Sequence, residues 1–248
     1  MPPRIVSREE WLAARTAHLK SEKALTRMRD LIAAERRNLP WVRIEKQYVF
    51  DTTEGKRTLT DLFGGNSQLI VHHFMWRWDL DQGCASCSLE ADHAEGAIVH
   101  LAHHDVSYVR VSRAPIEKLE AYRKRMGWRA QWVSSYGNDF NYDFNVSFSK
   151  EQLAQGKVYY NYGMVDGFDE LPGLSVFYKD ASGLFHTYSS YARGNEEVIG
   201  AFIYLDITPK GRNEKEIMDW VKRHDEYDAD PSCCHGQPVN AGAASDAP

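Results

Sequence analysis

The chain has 248 residues, 43% of them hydrophobic, and a formal net charge of −5. That is enough apolar material for one full core, and four cysteines over such a length are too few for a secreted disulfide framework. The acidic balance argues against general nucleic-acid affinity. With no apolar run near the length of a membrane span and no apolar core in the opening MPPRIVSREEWLAARTAH, a soluble, cytoplasmic protein is expected.

Ser7 and Glu10 form a capping-box pattern, and Trp11, Leu12, Leu19, Leu25, Met28, Leu31 and Ile32 recur at near-helical spacing as far as Asn38 and Pro40. Residues 1–45 are read as a helical extension, basic where the rest is acidic, its apolar stripe packed on the domain that follows, with a partner-binding or dimerising helix as the alternative. Gln47 to Phe50 and Arg57 to Leu59 flank Thr52-Thr53-Glu54-Gly55 and predict a hairpin. Leu69 to Met75 is a β-type run with His72 and His73 at its middle, on opposite faces. It breaks at a polar loop and is followed by Cys84-Ala85-Ser86-Cys87, which opens a helix to about His103.

Val106 to Val111 reads as a strand, and Pro115 to Met126 as a helix with Pro at its start and Gly127 after its end. Trp128 to Leu171 is less regular and dense in aromatics, with a short strand at Gln131 to Ser135 and a helical turn at Ser149 to Gln155. Leu174 to Lys179 and Leu184 to Ser190 form a hairpin, Asn195 to Leu205 a helix, and Glu214 to Tyr227 a last helix. Residues 228–248, small and polar with Cys233-Cys234-His235 among them, are read as a disordered tail.

The chemistry gathers at the strand, loop, CxxC, helix sequence. A thiol at a helix N-terminus meets unpaired N–H groups and the positive end of the dipole, which favours thiolate. Cys84 is then the nucleophile and Cys87 the resolving thiol. Asp79 and Asp81 oppose the thiolate, and Arg77 supports it if it turns inward. The same dithiol is compatible with a metal site or with buried, inert cysteines. His100 and His104 have a spacing that grips a metal, with His93 near the same face, but there is no HExxH and no second CxxC. Trp128 and Trp132, in the aromatic stretch, either pack as a subcore or wall a pocket over the CxxC.

The order β-CxxC-α-β-α, insertion, β-β-α is that of the thioredoxin fold. The chain also resembles, nearly end to end, the bacterial thioredoxin-like family catalogued as domain of unknown function 899, distantly related to the AhpC/TSA group. The resemblance is carried by EKQYVF, QLIVHHFMW with GCASCS, VSRAPIEKLEAYRKRMGW with WVSS, FNYDFNVSF, LPGLSVFYKD, FHTYSSYARG, LDITPKGRNE and MDWVKRHDEY. It implies an α/β thioredoxin-like domain over residues 46–227, with Cys84 and Cys87 in the thioredoxin position. Gly83 stands where a thioredoxin has Trp. Counting back from Cys84 places Asp81 and Arg77 where a peroxiredoxin has its Thr and Pro. Near the position of the thioredoxin cis-proline lies Pro172, with Gly173 in the slot itself.

The expected function is therefore thiol–disulfide exchange by Cys84 and Cys87, with Arg77, Trp128, Trp132, Pro172 and Gly173 as candidate binding residues. A protein or small-molecule disulfide is the expected partner, homo-oligomerisation is compatible, and no cofactor, metal, nucleic acid or membrane is invoked. The competing readings are a non-enzymatic ligand- or metal-binding module and, more weakly, a thiol peroxidase.

Overall fold

A computed structural model describes residues 3–227. The proposed tail, with Cys233 and Cys234, lies outside the described residues. The elements in chain order are α1 (Arg8–Arg37), β1 (Val42–Arg43), β2 (Val49–Thr52), β3 (Gly55–Thr58), β4 (Gln68–His73), α2 (Ala85–Ala102), β5 (Val106–Ser112), α3 (Ile116–Arg125) and β6 (Gln131–Ser134). Two single turns follow, α4 (Phe140–Asp143) and α5 (Lys150–Leu153), then β7 (Lys157–Tyr160), β8 (Gly163–Asp166), β9 (Gly173–Asp180), β10 (Gly183–Tyr191) and α6 (Gly200–Asp206).

Eight strands form one mixed sheet in the order β1-β10-β9-β4-β5-β6-β2-β3. β4, β5 and β6 run parallel, as β-α-β connections through α2 and α3 require. β9 pairs antiparallel with β4, placing Gly173 beside His73. The central order β10-β9-β4-β5, with helices between the parallel strands, is the thioredoxin-like arrangement. Because side chains alternate along β4, its two faces feed two cores. Leu69 and Val71 join Phe50, Phe63, Phe140, Phe144 and Phe177 on one face. On the other face the α2 and α3 helices enclose Phe74, Trp76, Tyr122, Trp128, Trp132 and Cys87.

Four expectations change. Helix α1 runs unbroken for 30 residues behind a complete Ser7/Glu10 capping box, but none of its residues is buried. Its stripe, including Leu25 and Met28 at 53% and 52% exposure, does not pack on the domain. Arg29 of this helix pairs with Glu197 and Arg36 lies over Tyr188, so these ties to the body are polar or cation–π. Periodicity identifies an apolar face, and it cannot say what covers that face.

The segment expected as one helix over Asn195 to Leu205 is a 3-10 turn, Ala192–Val198, broken at Ile199 before α6. Ile199 is pulled into a small core with Leu89 and Phe202. Glu214 to Tyr227 is not a helix. Its own side chains bind the amides a helix would use: Asp219 accepts from Lys215 N and Glu216 N, and Glu214 accepts from Met218 N. Asn213 and Met218 adopt positive φ. The aromatic stretch, finally, contains the β7-β8 hairpin, turned by Asn161 and Tyr162 at positive φ. Among the described residues no helix is long and apolar enough to cross a membrane.

Candidate functional site

The loop leaving β4 is held rather than free. Trp76 is buried and donates from Nε1 to Leu80 O at 3.0 Å, and Lys118 reaches the same carbonyl. The chain then returns at Gly83, where a Cβ would lie 2.7 Å from Phe74 and 3.1 Å from Trp76. Only glycine allows the backbone to pass so close to packed rings. Cys84 N donates to Met75 O at 3.2 Å, and Ser88 N and Oγ both donate to Cys84 O. Cys84 is thus fixed as the N-cap of α2, with Cys87 in its first turn.

Both cysteines are free thiols, Cys84 partly exposed and Cys87 buried. The Cys84 thiol is pulled down to about 6. The Cys87 S–H donated to it is the largest cause. Burial opposes this, while the N–H groups of Cys87 and Ser86 and the charge of Arg223 add to the lowering. Those amides point at the sulfur without closing a full cap hydrogen bond. Cys87 is driven the other way, because its S–H hydrogen-bonds to Cys84 and it sits in an apolar core. The two thiols therefore divide into one that ionises readily and one that keeps its proton.

Arg77 does not turn toward the thiols. It makes a two-point bond to Asp79 and an ion pair with Asp169, tying the loop to the aromatic insertion. The cation serving Cys84 is Arg223 instead, which donates to Gly83 O. Sequence reading placed Arg223 within a terminal helix, 140 positions away from its partner, and no local pattern signals the contact.

Trp128 and Trp132 are each 4% exposed and pack with Phe74, Trp76 and Tyr122. Their N–H groups are used internally, by Asp92 and Ser112. They form part of the subcore under the CxxC and are corrected from candidate binding residues to packing ones. Pro172, through a trans peptide, lines a cavity on the Cys87 side of the site. Gly173 opens β9 under Tyr191, whose ring would lie 2.8 Å from a Cβ there.

Behind the thiols lies a buried polar group that sequence reading missed. Glu90, one turn beyond Cys87 on α2, is 5% exposed and is raised to about 8 by burial. Its Oε1 lies 3.6 Å from His72 Nε2, and neither atom has a hydrogen bond. Asn195 approaches Oε2, and Tyr108 bonds His72 Nδ1. A carboxyl spaced Cys-x-x-Glu on a helix was the available signal. His72 is kept neutral by burial. His73, on the other face, bonds Ser175 and stacks on Phe140 and Phe144. His93 accepts from Ala201 N. Among the described residues no three His, Cys, Asp or Glu side chains converge as a metal site requires.

A family model described as "Bacterial protein of unknown function (DUF899)" matches residues 1–227. The chain belongs to the DUF899 family. This DUF899 chain matches no curated protein. Among solved structures it is similar to the peroxidoxin BcpB of Mycobacterium tuberculosis, at 12% identity and TM-score 0.45, covering 65% of this chain and 94% of that one. It is also similar to a Xanthomonas campestris peroxiredoxin Q, at 13% identity and TM-score 0.40, covering 62% and 87%. A third is a secreted M. tuberculosis disulfide oxidoreductase homologous to E. coli DsbE, at 15% and 0.36, covering 62% and 92%.

Proposed function

We propose that this DUF899 chain is a thiol–disulfide oxidoreductase in which Cys84 attacks and Cys87 resolves. The observation that carries the reading is the asymmetry of the pair. Cys84 is a partly exposed helix N-cap with its thiol at about 6, and Cys87 is a buried thiol held protonated beside it. The Cys84 thiolate attacks one sulfur of a disulfide RSSR, that S–S bond breaks, and RS⁻ leaves. Cys87 then gives up its proton, its thiolate attacks Cys84 Sγ, and the second RS⁻ leaves as the internal disulfide forms. The balance is one thiolate, one thiol, RSSR and one H⁺ going to the protein disulfide and two RSH.

Glu90, one turn beyond Cys87 on α2 and raised to about 8 by burial, is the candidate to receive the Cys87 proton, which it does in its ionised form. A glutathione redox titration with mass-resolved alkylation of each cysteine tests the reading. A two-electron Cys84–Cys87 transition between about −300 and −120 mV is expected. No disulfide across that range would remove it.

A further inference from the structure

We infer that the exchange site takes a small, uncharged, apolar disulfide, one arm of which enters the cavity beside Cys87; this rests on the thiol–disulfide reading above. The cavity measures about 250 Å³ and is bounded by Met75, Tyr160, Leu171, Pro172, Ile217 and Met218, with Cys87 opening onto it. That is below the roughly 300–1,000 Å³ of a site for a drug-sized ligand. It has room for a short alkyl chain or one ring.

Of the charged and amide side chains that reach the cavity, Asn195, Arg193 and Glu196 have partners, while Glu90 Oε1 faces His72 without a hydrogen bond. Asn195 accepts from Ser190 and approaches Glu90, and Arg193 pairs with Glu196. Among the described residues the cation lining the cavity, Arg193, is already paired with Glu196, so burying the carboxylates of an anionic ligand such as glutathione disulfide there is costly.

A protein strand is excluded by a separate observation. An extended peptide docking beside β9 would pair with the backbone just before that strand. The Pro172 carbonyl is taken by Tyr160 Oη at 2.6 Å, and the same hydroxyl accepts from Ala192 N at 2.9 Å. Tyr160 of β7 thus occupies the carbonyl that a polypeptide substrate would use, and β9 itself is paired on both sides. Ile217 and Met218 close the opposite side, on a strap whose Met218, Trp220 and Val221 pack on Leu89, Ile199 and Phe202. What remains accessible is a mainly apolar pocket with Glu90, Asn195, Arg193 and Glu196 at its polar side, reaching Cys87 next to the exchange site.

The test uses the full, reduced chain and three disulfides that release alkyl thiols: di-n-butyl disulfide, bis(2-hydroxyethyl) disulfide and glutathione disulfide. Each rate of Cys84–Cys87 oxidation is normalised to the rate of the same reagent with a free dithiol. The dibutyl compound is expected to react at least about tenfold faster than the other two on this scale, a factor of 1.4 kcal/mol. Ile217→Trp, at an exposed strap position that borders the cavity, should abolish that preference. As a second readout, unreactive di-n-butyl sulfide should raise the melting temperature of wild type and not of Ile217→Trp.

Equal normalised rates, or a preference for glutathione disulfide, overturn the substrate class while the redox reading stands. Failure of every reagent to form the internal disulfide overturns the redox reading. In that case a stabilising effect of the sulfide would show the cavity to be an apolar binding site without exchange chemistry, and no such effect would remove both.

Discussion

Arg223 donates from Nη2 to the carbonyl oxygen of Gly83 and so holds a positive charge beside the Cys84 sulfur. The contact joins the last stretch of the described residues to the residue preceding Cys84. Arg223 is itself held by Glu226, which with Asp225 pairs Arg125 on α3. A cation near a thiolate favours the charged form, so Arg223→Gln should raise the Cys84 pKa. At pH 6 the rate of Cys84 alkylation by iodoacetamide should fall about threefold, with little change at pH 9 where the thiolate is populated either way. An unchanged pH profile would assign the activation to the helix terminus and Cys87 alone.

Glu90 gives a pH dependence of defined sign. Its folded-state pKa of about 8 lies above the ordinary carboxyl value of 4.5, so the native state binds the proton that the unfolded state releases. The associated stability is full below about pH 4.5, is lost as pH rises toward 8, and changes no further above that. Glu90→Gln keeps the shape without the ionisation. It should flatten the stability profile between pH 4.5 and 8 and stabilise the reduced protein at pH 7 by roughly 1–3 kcal/mol. Urea denaturation at three pH values reads this directly, and a parallel pair of profiles would refute it.

The same substitution separates stability from chemistry. If Glu90 accepts the Cys87 proton, Glu90→Gln should slow closure of the Cys84–Cys87 disulfide from a preformed mixed disulfide by about tenfold to a hundredfold, the range of a lost general base. Formation of that mixed disulfide, which needs only Cys84, should keep its rate. Quenched-flow alkylation distinguishes the two steps.

The elements that position the thiols were legible because each is specified locally. The β4 alternation, the Gly83-to-Cys87 turn, the Pro115 start of α3 and the Asp180-to-Gly183 hairpin all carry their signals within a few residues. What was not legible is specified at a distance. Ile199 breaks its helix to enter a core formed with Leu89, and Glu214 and Asp219 spend their carboxylates on backbone amides that a helical reading assumes are paired. Trp128 and Trp132 read equally well as pocket wall or subcore, since composition fixes that they are buried and not what they face. Arg77 and Arg223 are both basic residues near acidic ones, and only the fold decides which of them meets the sulfur.

Gly83 is the tightest point of the loop before Cys84, and Gly83→Ala tests how finely the loop is set. The added methyl meets Phe74 and Trp76, which are 1% and 2% exposed and packed against Trp132. These rings have no free space to yield, so the substitution should cost about 1–3 kcal/mol, the usual range for overpacking. It should also displace Cys84 from its cap position and raise its pKa. Loss of stability without a change in thiol titration would show that Cys84 is positioned by Met75 and Ser88 rather than by the approach at Gly83.

Helix α1 makes the opposite prediction, since a residue that buries nothing in its own chain has nothing there to lose. Leu25→Glu and Met28→Glu, made together, should leave the folding stability of the isolated chain within about 0.5 kcal/mol of wild type, as exposed substitutions do. The capping box and the pairing of Arg15 with Glu22 stay intact, so helix content should also hold. The measurement is denaturant unfolding at two protein concentrations tenfold apart. A cost above about 1 kcal/mol that grows with concentration would mean that the stripe is covered by another molecule in solution, because only an interface makes stability depend on how much protein is present.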